Sequence, residues 1–540
     1  MSDINKFFKE NLKLIFLLLT LATGAVLLFI VSNCQSLLAQ GDHGRDLYAF
    51  KKAMDGAVTY KDYWWPYGPL MPYYYGLFLK LFGISIKSIL IGRAVLILGI
   101  SLFFYLTLAT LIPPSFAFIA TIWALNCYRD FFYTYNHIGG LVTILACVYF
   151  LFSYMQQQKL KYLYLSLLCI FLTSLIKINY GFASLFNFLI AVFLIDSVYK
   201  TPFNRQKIKF YLCALIILPI TILAVYYFLL HELPIYYIRQ CLPYLGGDQP
   251  HEVSLQTSSR ILVQSIFNNA LIGWPNRCFA ILILLSLIQT ITLIFNKKTD
   301  RALKSKIILT LAILSIFYLV NLHEFLKSAV YYRTFWSTSF SMMLIFIVIY
   351  FGVKNLSRSI QILFIFTILF TVTIKMIEGT KNLRNLKTPE HYIAHPRTQI
   401  YVSNPPQWIQ TVVATTNYLE QNVKKDELFF ALPYDPLYYF LTDKDSPTRQ
   451  LIFFNHIKIP TEQEKTIIAE LEKNNVTWVV MSSRSQSKDP TLGVFGETYC
   501  PLLGEYIKKH FAMTIEFGDW KNEPGWIGNH GTRILKRVSK

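Results

Sequence analysis

The chain has 540 residues, of which 54% are hydrophobic and only 15% are charged. Soluble domains usually carry about a quarter charged residues, so this composition excludes a chain of soluble domains and favours a polytopic membrane protein. The formal net charge of +20 would suggest nucleic-acid binding in a soluble protein. Here most basic residues outside the C-terminal part lie in short loops between apolar runs, so nucleic acid is not an expected partner.

The apolar runs predict about eleven transmembrane helices over residues 1–376, since a bilayer core needs roughly 20 apolar residues per helix. The predicted segments are Asn11–Asn33, Ile86–Leu111, Pro114–Asn126, His137–Met155, Tyr162–Ile176, Gly181–Val198, Phe210–Leu230, Cys278–Phe295, Lys306–Val320, Thr334–Val353 and Ser359–Met376. Lysines near the first segment predict a cytoplasmic N-terminus, and the later basic loops fall on the same side. The first segment is expected to be a retained helix rather than a cleaved signal. The loop at 34–85 is therefore expected outside.

The composition changes near Glu378, and no apolar run of spanning length follows. Residues 377–540 alternate predicted strands (427–432, 476–481 and 533–538) with predicted helices (461–473 and 502–511). This alternation is typical of a small α/β domain with a partly parallel sheet. An odd number of membrane helices would put this soluble domain on the outer face, with the first loop. No glycine-rich phosphate loop follows these strands, so a nucleotide-binding domain is not predicted.

The first loop concentrates charged and aromatic residues in the segment Gly41–Leu70. If the chain is helical from Asp42 onward, Asp42 and Asp46 share one face with Arg45 beside them. A carboxylate at this place could take a proton from an acceptor hydroxyl, and a guanidinium could stabilise a phosphate leaving group. A solvated amphipathic helix with locally balanced charges explains the same spacing. The aromatic run that follows suits a lipid–water boundary and could also flank a sugar ring.

Several stretches of this loop resemble the first outer loop of the GT-C glycosyltransferases, the polyprenyl-phosphate-sugar enzymes related to protein mannosyltransferases and the lipid A aminoarabinose transferase. They are Asp42-His43-Gly44, Lys61-Asp62-Tyr63 and Tyr67-Gly68-Pro69-Leu70. The many-helix layout and the stretch from Tyr434 to Thr442 are also similar to that group. The resemblance implies that Asp42 is the catalytic carboxylate. Many members carry Asp-Glu where this chain has Asp42-His43, so Asp46 is the remaining candidate for a second catalytic acid.

The other expected substrate-binding residues lie in the same loop and in three further outer turns. Those of the loop are His43, Arg45 and Asp62, and those of the turns are Arg129, Lys177, His323 and Arg333. The resemblance implies that the cations of the turns grip the phosphate of a lipid donor. Each turn has an alternative explanation: Lys177 could snorkel to the interface, Arg129 could pair with Asp130, and His323 and Arg333 could bond backbone carbonyls.

The sequence thus predicts an integral-membrane glycosyltransferase in the inner or plasma membrane. It would move a sugar from a polyprenyl-phosphate donor to an acceptor hydroxyl on the outer face, where the acceptor is a lipid, a glycan or a protein. A transporter or lipid flippase is the alternative, although such proteins tend to show internal repeats and charges at the membrane midplane. Membrane lipids are the other expected partners. No cofactor and no tightly bound metal ion are predicted, because the sequence has no CxxC pair and no cluster of ligands.

Overall fold

The computed structural model describes residues 2–31, 34–35, 37–128, 135–242, 254–271, 274–296, 300–354, 356–521 and 528–538. A π-helical turn at Cys213–Ile217 joins the helix Arg205–Leu212 to the helix Leu218–Leu230. The helices up to Leu386 are α1 Ser2–Val31, α2 Asp42–Met54, α3 Leu70–Phe82, α4 Ile86–Ala109, α5 Pro114–Tyr128, α6 Tyr135–Gln157, α7 Leu160–Ile176, α8 Ile178–Tyr199, α9 Arg205–Leu212, α10 Leu218–Leu230, α11 Ile235–Cys241, α12 Leu255–Leu271, α13 Trp274–Phe295, α14 Arg301–Val320, α15 His323–Ser328, α16 Phe335–Val353 and α17 Arg358–Leu386.

In the described part of the chain, seven helical segments are long and apolar enough to cross a membrane. They are Ile86–Ala109, Tyr135–Gln157, Ile178–Tyr199, Arg205–Leu230, Arg301–Ser328, Phe335–Val353 and Arg358–Glu378. Shorter apolar helices cover Asn11–Val26, Pro114–Leu125, Leu160–Ile176 and Ile283–Phe295. Large apolar side chains such as Phe193 and Phe366 remain about two-thirds exposed, at 65% and 66%, as expected for side chains that face lipid. The chain is therefore an integral membrane protein, and the number of helices that cross stays a prediction.

After α17 the chain forms more helices and two small sheets. The helices are α18 Pro406–Asn422, α19 Leu437–Thr442, α20 Thr461–Lys473 and α21 Pro501–His510, and the strands are β1 Cys34–Gln35, β2 Tyr392–Ile393, β3 Ile400–Val402, β4 Phe429–Leu432, β5 Trp478–Ser482, β6 Phe511–Gly518 and β7 Gly531–Arg537. The larger sheet has the order β4-β5-β7-β6, in which β4 and β5 are parallel and the other pairs antiparallel. The boundary predicted after residue 376 falls inside α17, so a separate C-terminal domain stays a prediction.

The C-terminal region and the membrane helices share a hydrophobic core. On β4, Phe429 and Ala431 join the large core that also contains the helix side chains, whereas Phe430 and Leu432 join a second, smaller core. Alternate residues of a strand point to opposite faces, so β4 is buried on both sides. The strand β1 also pairs in parallel with β3, which attaches the first loop to the C-terminal region.

Two glycines allow the first loop to approach its neighbours closely. A Cβ atom on Gly44 of α2 would lie 2.2 Å from the backbone nitrogen of Leu437 in α19. A Cβ atom on Gly68 would lie 2.2 Å from the carbonyl oxygen of Leu175, at the end of α7. These distances are far below van der Waals contact, so the loop is held tightly between the C-terminal region and the α7–α8 turn.

Candidate functional site

The first turn of α2 is organised around the buried guanidinium of Arg45. Arg45 Nη2 lies 2.6 Å from Asp46 Oδ1, and Arg45 Nε donates to the same oxygen at 2.9 Å. Arg45 Nη1 lies 3.4 Å from Asp42 Oδ1. Arg45 and Asp46 are only 5% and 2% exposed, so α2 is not the solvated surface helix of the alternative interpretation. The spacing predicted that these three side chains come together, and the structure confirms it.

Tyr434 completes this cluster from the C-terminal region, 389 positions further along the chain than Arg45. Its hydroxyl accepts a hydrogen bond from Arg45 Nη1 at 2.9 Å and donates one to Asp42 Oδ1 at 3.1 Å. Gly41 lies against the Tyr434 ring, where a Cβ atom would be 2.3 Å from the nearest ring carbon. Sequence reasoning noted the stretch around Tyr434 for its resemblance to the family but gave this residue no role.

The two acids of the cluster differ in their access to solvent. The Asp42 side chain is 40% exposed, whereas that of Asp46 is 3% exposed and also accepts a hydrogen bond from Asn136 Nδ2 at 3.2 Å. Burial raises the pKa of Asp46 to about 6, although the neighbouring Arg45 opposes this shift. Asp42 is thus the carboxylate that another molecule can reach, and Asp46 is the one that holds Arg45 in place.

A second charged cluster surrounds Lys177, in the turn between α7 and α8. Its Nζ lies 2.6 Å from Glu324 Oε1 and 2.7 Å from Glu324 Oε2, and the two side chains are 7% and 2% exposed. Asn179 Nδ2 donates to Glu324 Oε1 at 2.8 Å. The alternative that Lys177 snorkels to the interface is therefore wrong, because an acid from a distant segment neutralises its ammonium inside the protein.

The aromatic ring of Tyr67 connects the two clusters. The guanidinium carbon of Arg45 lies 5.1 Å from the centre of this ring, and Lys177 Nζ lies 5.6 Å from it. Both cations are within range of a cation–π interaction with the same ring. The neighbouring Gly68 nitrogen donates to the carbonyl of Ile176 at 2.9 Å, which fixes Tyr67 beside the α7–α8 turn. His137 packs against Tyr67 as well, with ring centres 5.7 Å apart.

Two of the predicted phosphate-binding residues lie near Lys177. His323 Nε2 meets Asn179 Nδ2 at 2.8 Å, and His323 Nδ1 meets the carbonyl of Val320 at 2.9 Å, so the predicted backbone contact is present for this residue. Burial lowers the pKa of Lys177, Glu324 opposes this shift, and the charge of half-buried Arg333 adds to the lowering. His323 thus reaches the Lys177 cluster through Asn179, and the charge of Arg333 acts on Lys177, while their binding of a phosphate stays a prediction.

The other predicted residues lie elsewhere or have structural contacts. His43 is buried, its Nδ1 accepts from the Ala39 nitrogen at 2.8 Å, and its ring packs against Tyr135. Asp62 is exposed, and its Oδ2 accepts from the Val58 nitrogen at 2.6 Å, which closes a turn of the loop. Arg129 falls outside the described residues. Within the described ranges, no three His, Cys, Asp or Glu side chains are grouped as a metal site would require.

Solved glycosyltransferases share this arrangement of helices. ArnT from Cupriavidus metallidurans, bound to undecaprenyl phosphate, is 10% identical with a TM-score of 0.57, over 97% of this chain and 98% of that one. The oligosaccharyltransferase of Archaeoglobus fulgidus, tethered to an acceptor peptide with an NVT sequon, is 13% identical with a TM-score of 0.50, over 94% of this chain and 73% of that one. The apo form of the oligosaccharyltransferase gives a TM-score of 0.51 at 12% identity, over 94% of this chain and 74% of that one.

Both enzymes belong to the GT-C superfamily. The sequence itself matches no protein-family model, and no curated protein matches it significantly. The chain therefore has the GT-C fold that its first loop predicted, and this likeness is visible in the structure rather than in sequence identity.

Proposed function

We propose that this protein is an integral-membrane glycosyltransferase that takes a sugar from a polyprenyl-phosphate donor and transfers it to an acceptor hydroxyl. The observation that carries the proposal is the partly exposed carboxylate of Asp42, held by Arg45 and Tyr434 at the start of α2 in a GT-C fold. An ionisable cluster beside membrane helices is costly to bury, so it calls for a function.

In the proposed reaction, the acceptor hydroxyl gives its proton to the carboxylate of Asp42. The hydroxyl oxygen then attacks the anomeric carbon of the donor sugar, and the bond from that carbon to the phosphate oxygen breaks with inversion. The lipid phosphate leaves with the electron pair of that bond. Arg45 lies 3.4 Å from Asp42, so its guanidinium is close to the charge that develops on the phosphate. Asp46 acts on the reaction only by positioning Arg45.

The lipid donor is proposed because ArnT, which has the same fold, was solved with undecaprenyl phosphate. Lys177, Arg333 and His323 are the proposed phosphate contacts beyond Arg45. Because Lys177 is bonded to both oxygens of Glu324, phosphate binding there requires the ammonium to leave or share this carboxylate. The distribution of basic loops supports a site on the outer face of the membrane.

The proposal can be tested in cells that lack this protein, by mass spectrometry of their polyprenyl-phosphate lipids. The sugar-loaded donor should accumulate in the deletion strain and disappear when the wild-type chain is restored. The variant Asp42→Asn should fail to clear it. Asp55→Asn is a matched control, because Asp55 ends the same helix and its side chain is 39% exposed against 40% for Asp42. Clearance of the donor by folded, membrane-inserted Asp42→Asn would refute the proposal and favour the transporter alternative.

A further inference from the structure

A cavity of about 310 Å³ opens between α18 and the end of β6. Helix α18 contributes Gln407, Gln410 and Thr411 to its wall, and Phe517 contributes an aromatic ring. Small-molecule sites in proteins usually measure about 300–1,000 Å³. The cavity therefore has room for one small ligand or for one ring of a larger ligand.

The chemistry of the wall favours a neutral ligand with many hydroxyl groups. Besides the two glutamines, the wall contains the amide of Asn529 and the carboxylate of Asp519. Amides offer donors and acceptors in one plane, and the face of Phe517 can cover the apolar side of a ring. Among the described residues that line the cavity there is no lysine or arginine, although the chain carries a net charge of +20. A phosphate or carboxylate ligand would meet the negative charge of Asp519.

The floor of the cavity depends on a glycine and includes a buried acceptor. Gly518 has a φ of +72°, and a Cβ atom there would lie 2.4 Å from Thr411 Oγ1 and 2.3 Å from the carbonyl oxygen of His530. A side chain at this position would therefore push β6 away from α18. Asn529 Oδ1 is buried and has no hydrogen-bond partner among the described residues. An unsatisfied buried acceptor is unfavourable, and a hydroxyl from a ligand would satisfy it.

The same elements hold the start of the proposed catalytic helix. Trp408 Nε1, one helical turn before Thr411, donates to Gln40 Oε1 at 3.1 Å. The ring of His530, which follows Asn529, contacts the amide of the same Gln40 side chain. Gln40 precedes Asp42 by two residues, so α18 and the segment around His530, which border the cavity, also hold the stretch that presents the carboxylate.

We propose that this cavity binds a neutral sugar ring of the acceptor, so that the acceptor is itself a glycan or a glycolipid. This step rests on the proposed glycosyltransferase function and adds the chemical class of the acceptor to it.

The test uses the full chain in lipid nanodiscs and saturation-transfer NMR with free sugars. Glucose, galactose, mannose and N-acetylglucosamine are the neutral probes, and glucuronic acid and galacturonic acid are the anionic ones. At least one neutral sugar should bind, and the anionic probes should not bind in this cavity. The double variant Gln407→Ala/Gln410→Ala should weaken binding about tenfold or more, since it removes two amides that can bond hydroxyls. Gln421→Ala is the matched control, since Gln421 is exposed on the same helix outside the cavity.

A second variant, Ala414→Trp, fills the cavity instead of removing its polar groups and should abolish the same signal. The inference is overturned if no neutral sugar binds, or if binding survives both cavity variants. It is also overturned if the double variant clears the sugar-loaded donor from the deletion strain as fully as the wild type does, while Asp42→Asn does not. The proposed function would then stand without an acceptor site here. Retained transfer by Asp42→Asn would refute the proposed function separately, because the NMR experiment does not depend on transfer.

Discussion

The substitution Tyr434→Phe tests whether the C-terminal region supplies part of the proposed catalytic site. The change keeps the buried ring against Gly41 and removes only the hydroxyl, which bonds Arg45 Nη1 at 2.9 Å and Asp42 Oδ1 at 3.1 Å. A hydrogen bond to a charged group contributes about 1.5–3 kcal/mol. Loss of the bond that orients Asp42 should therefore lower the rate of transfer about 10- to 100-fold, since about 1.4 kcal/mol corresponds to a factor of ten.

The assay for this variant measures sugar transfer in membranes from the deletion strain, with the product followed by mass spectrometry. Thermal unfolding should show only a modest loss of about 1–3 kcal/mol, because Arg45 keeps its bonds to Asp46. Tyr438→Phe is the matched control, since this buried tyrosine lies in the same region and its hydroxyl meets Thr532 Oγ1 at 3.4 Å, away from Asp42 and Arg45. Full activity of Tyr434→Phe in folded protein would refute the role given to this hydroxyl.

Three further predictions concern the charges of the site. Activity should fall below about pH 6, because Asp46 then takes up a proton and releases Arg45. The pKa of Asp46 in the folded protein lies above its ordinary value, so the same protonation favours folding. The stability that Asp46 contributes, measured as wild type against Asp46→Asn, should therefore increase from pH 7 to pH 5. Either Lys177→Met or Glu324→Gln alone should lower the free energy of unfolding by about 3–5 kcal/mol, because each leaves a buried group without its ion-pair partner. The double variant should have a free energy of unfolding closer to that of the wild type. Additive losses in the double variant would contradict this pairing. Removal of divalent cations with EDTA should leave transfer unchanged, because the guanidinium of Arg45 already bonds both Asp42 and Asp46; a loss of activity restored by one added metal ion would show otherwise.

The local parts of the fold and the site were accessible from the sequence. Apolar runs predict helices because each run must satisfy its own backbone in lipid, and every predicted run overlaps described helical residues. The run Phe210–Leu230 is divided between α9, a π-helical turn and α10. The grouping of Asp42, Arg45 and Asp46 also follows from local spacing, since residues three and four apart share a face of α2. In the C-terminal region, the helix predicted at 461–473 has the bounds of α20, whereas α18 and β6 were not predicted.

The contacts between distant segments could not be predicted in the same way. The hydroxyl of Tyr434 and the carboxylate of Glu324 reach their partners through tertiary packing, at sequence separations of 389 and 147 residues. No periodicity connects such positions. One signal was present for Glu324: an acid in an apolar stretch needs a partner, and Lys177 was a cation placed at the same membrane level.

The bond between Arg45 and Tyr434 also has a consequence for how the protein is made. The ribosome produces α2 early, and it adds Tyr434 only after the helices of the membrane part have been synthesised. Until that late segment has folded back onto Gly41, the carboxylate of Asp42 lacks the hydroxyl that orients it. Under the proposed function, a nascent or truncated chain would therefore lack a group that orients its carboxylate, and full activity would wait until the C-terminal region has been made and folded.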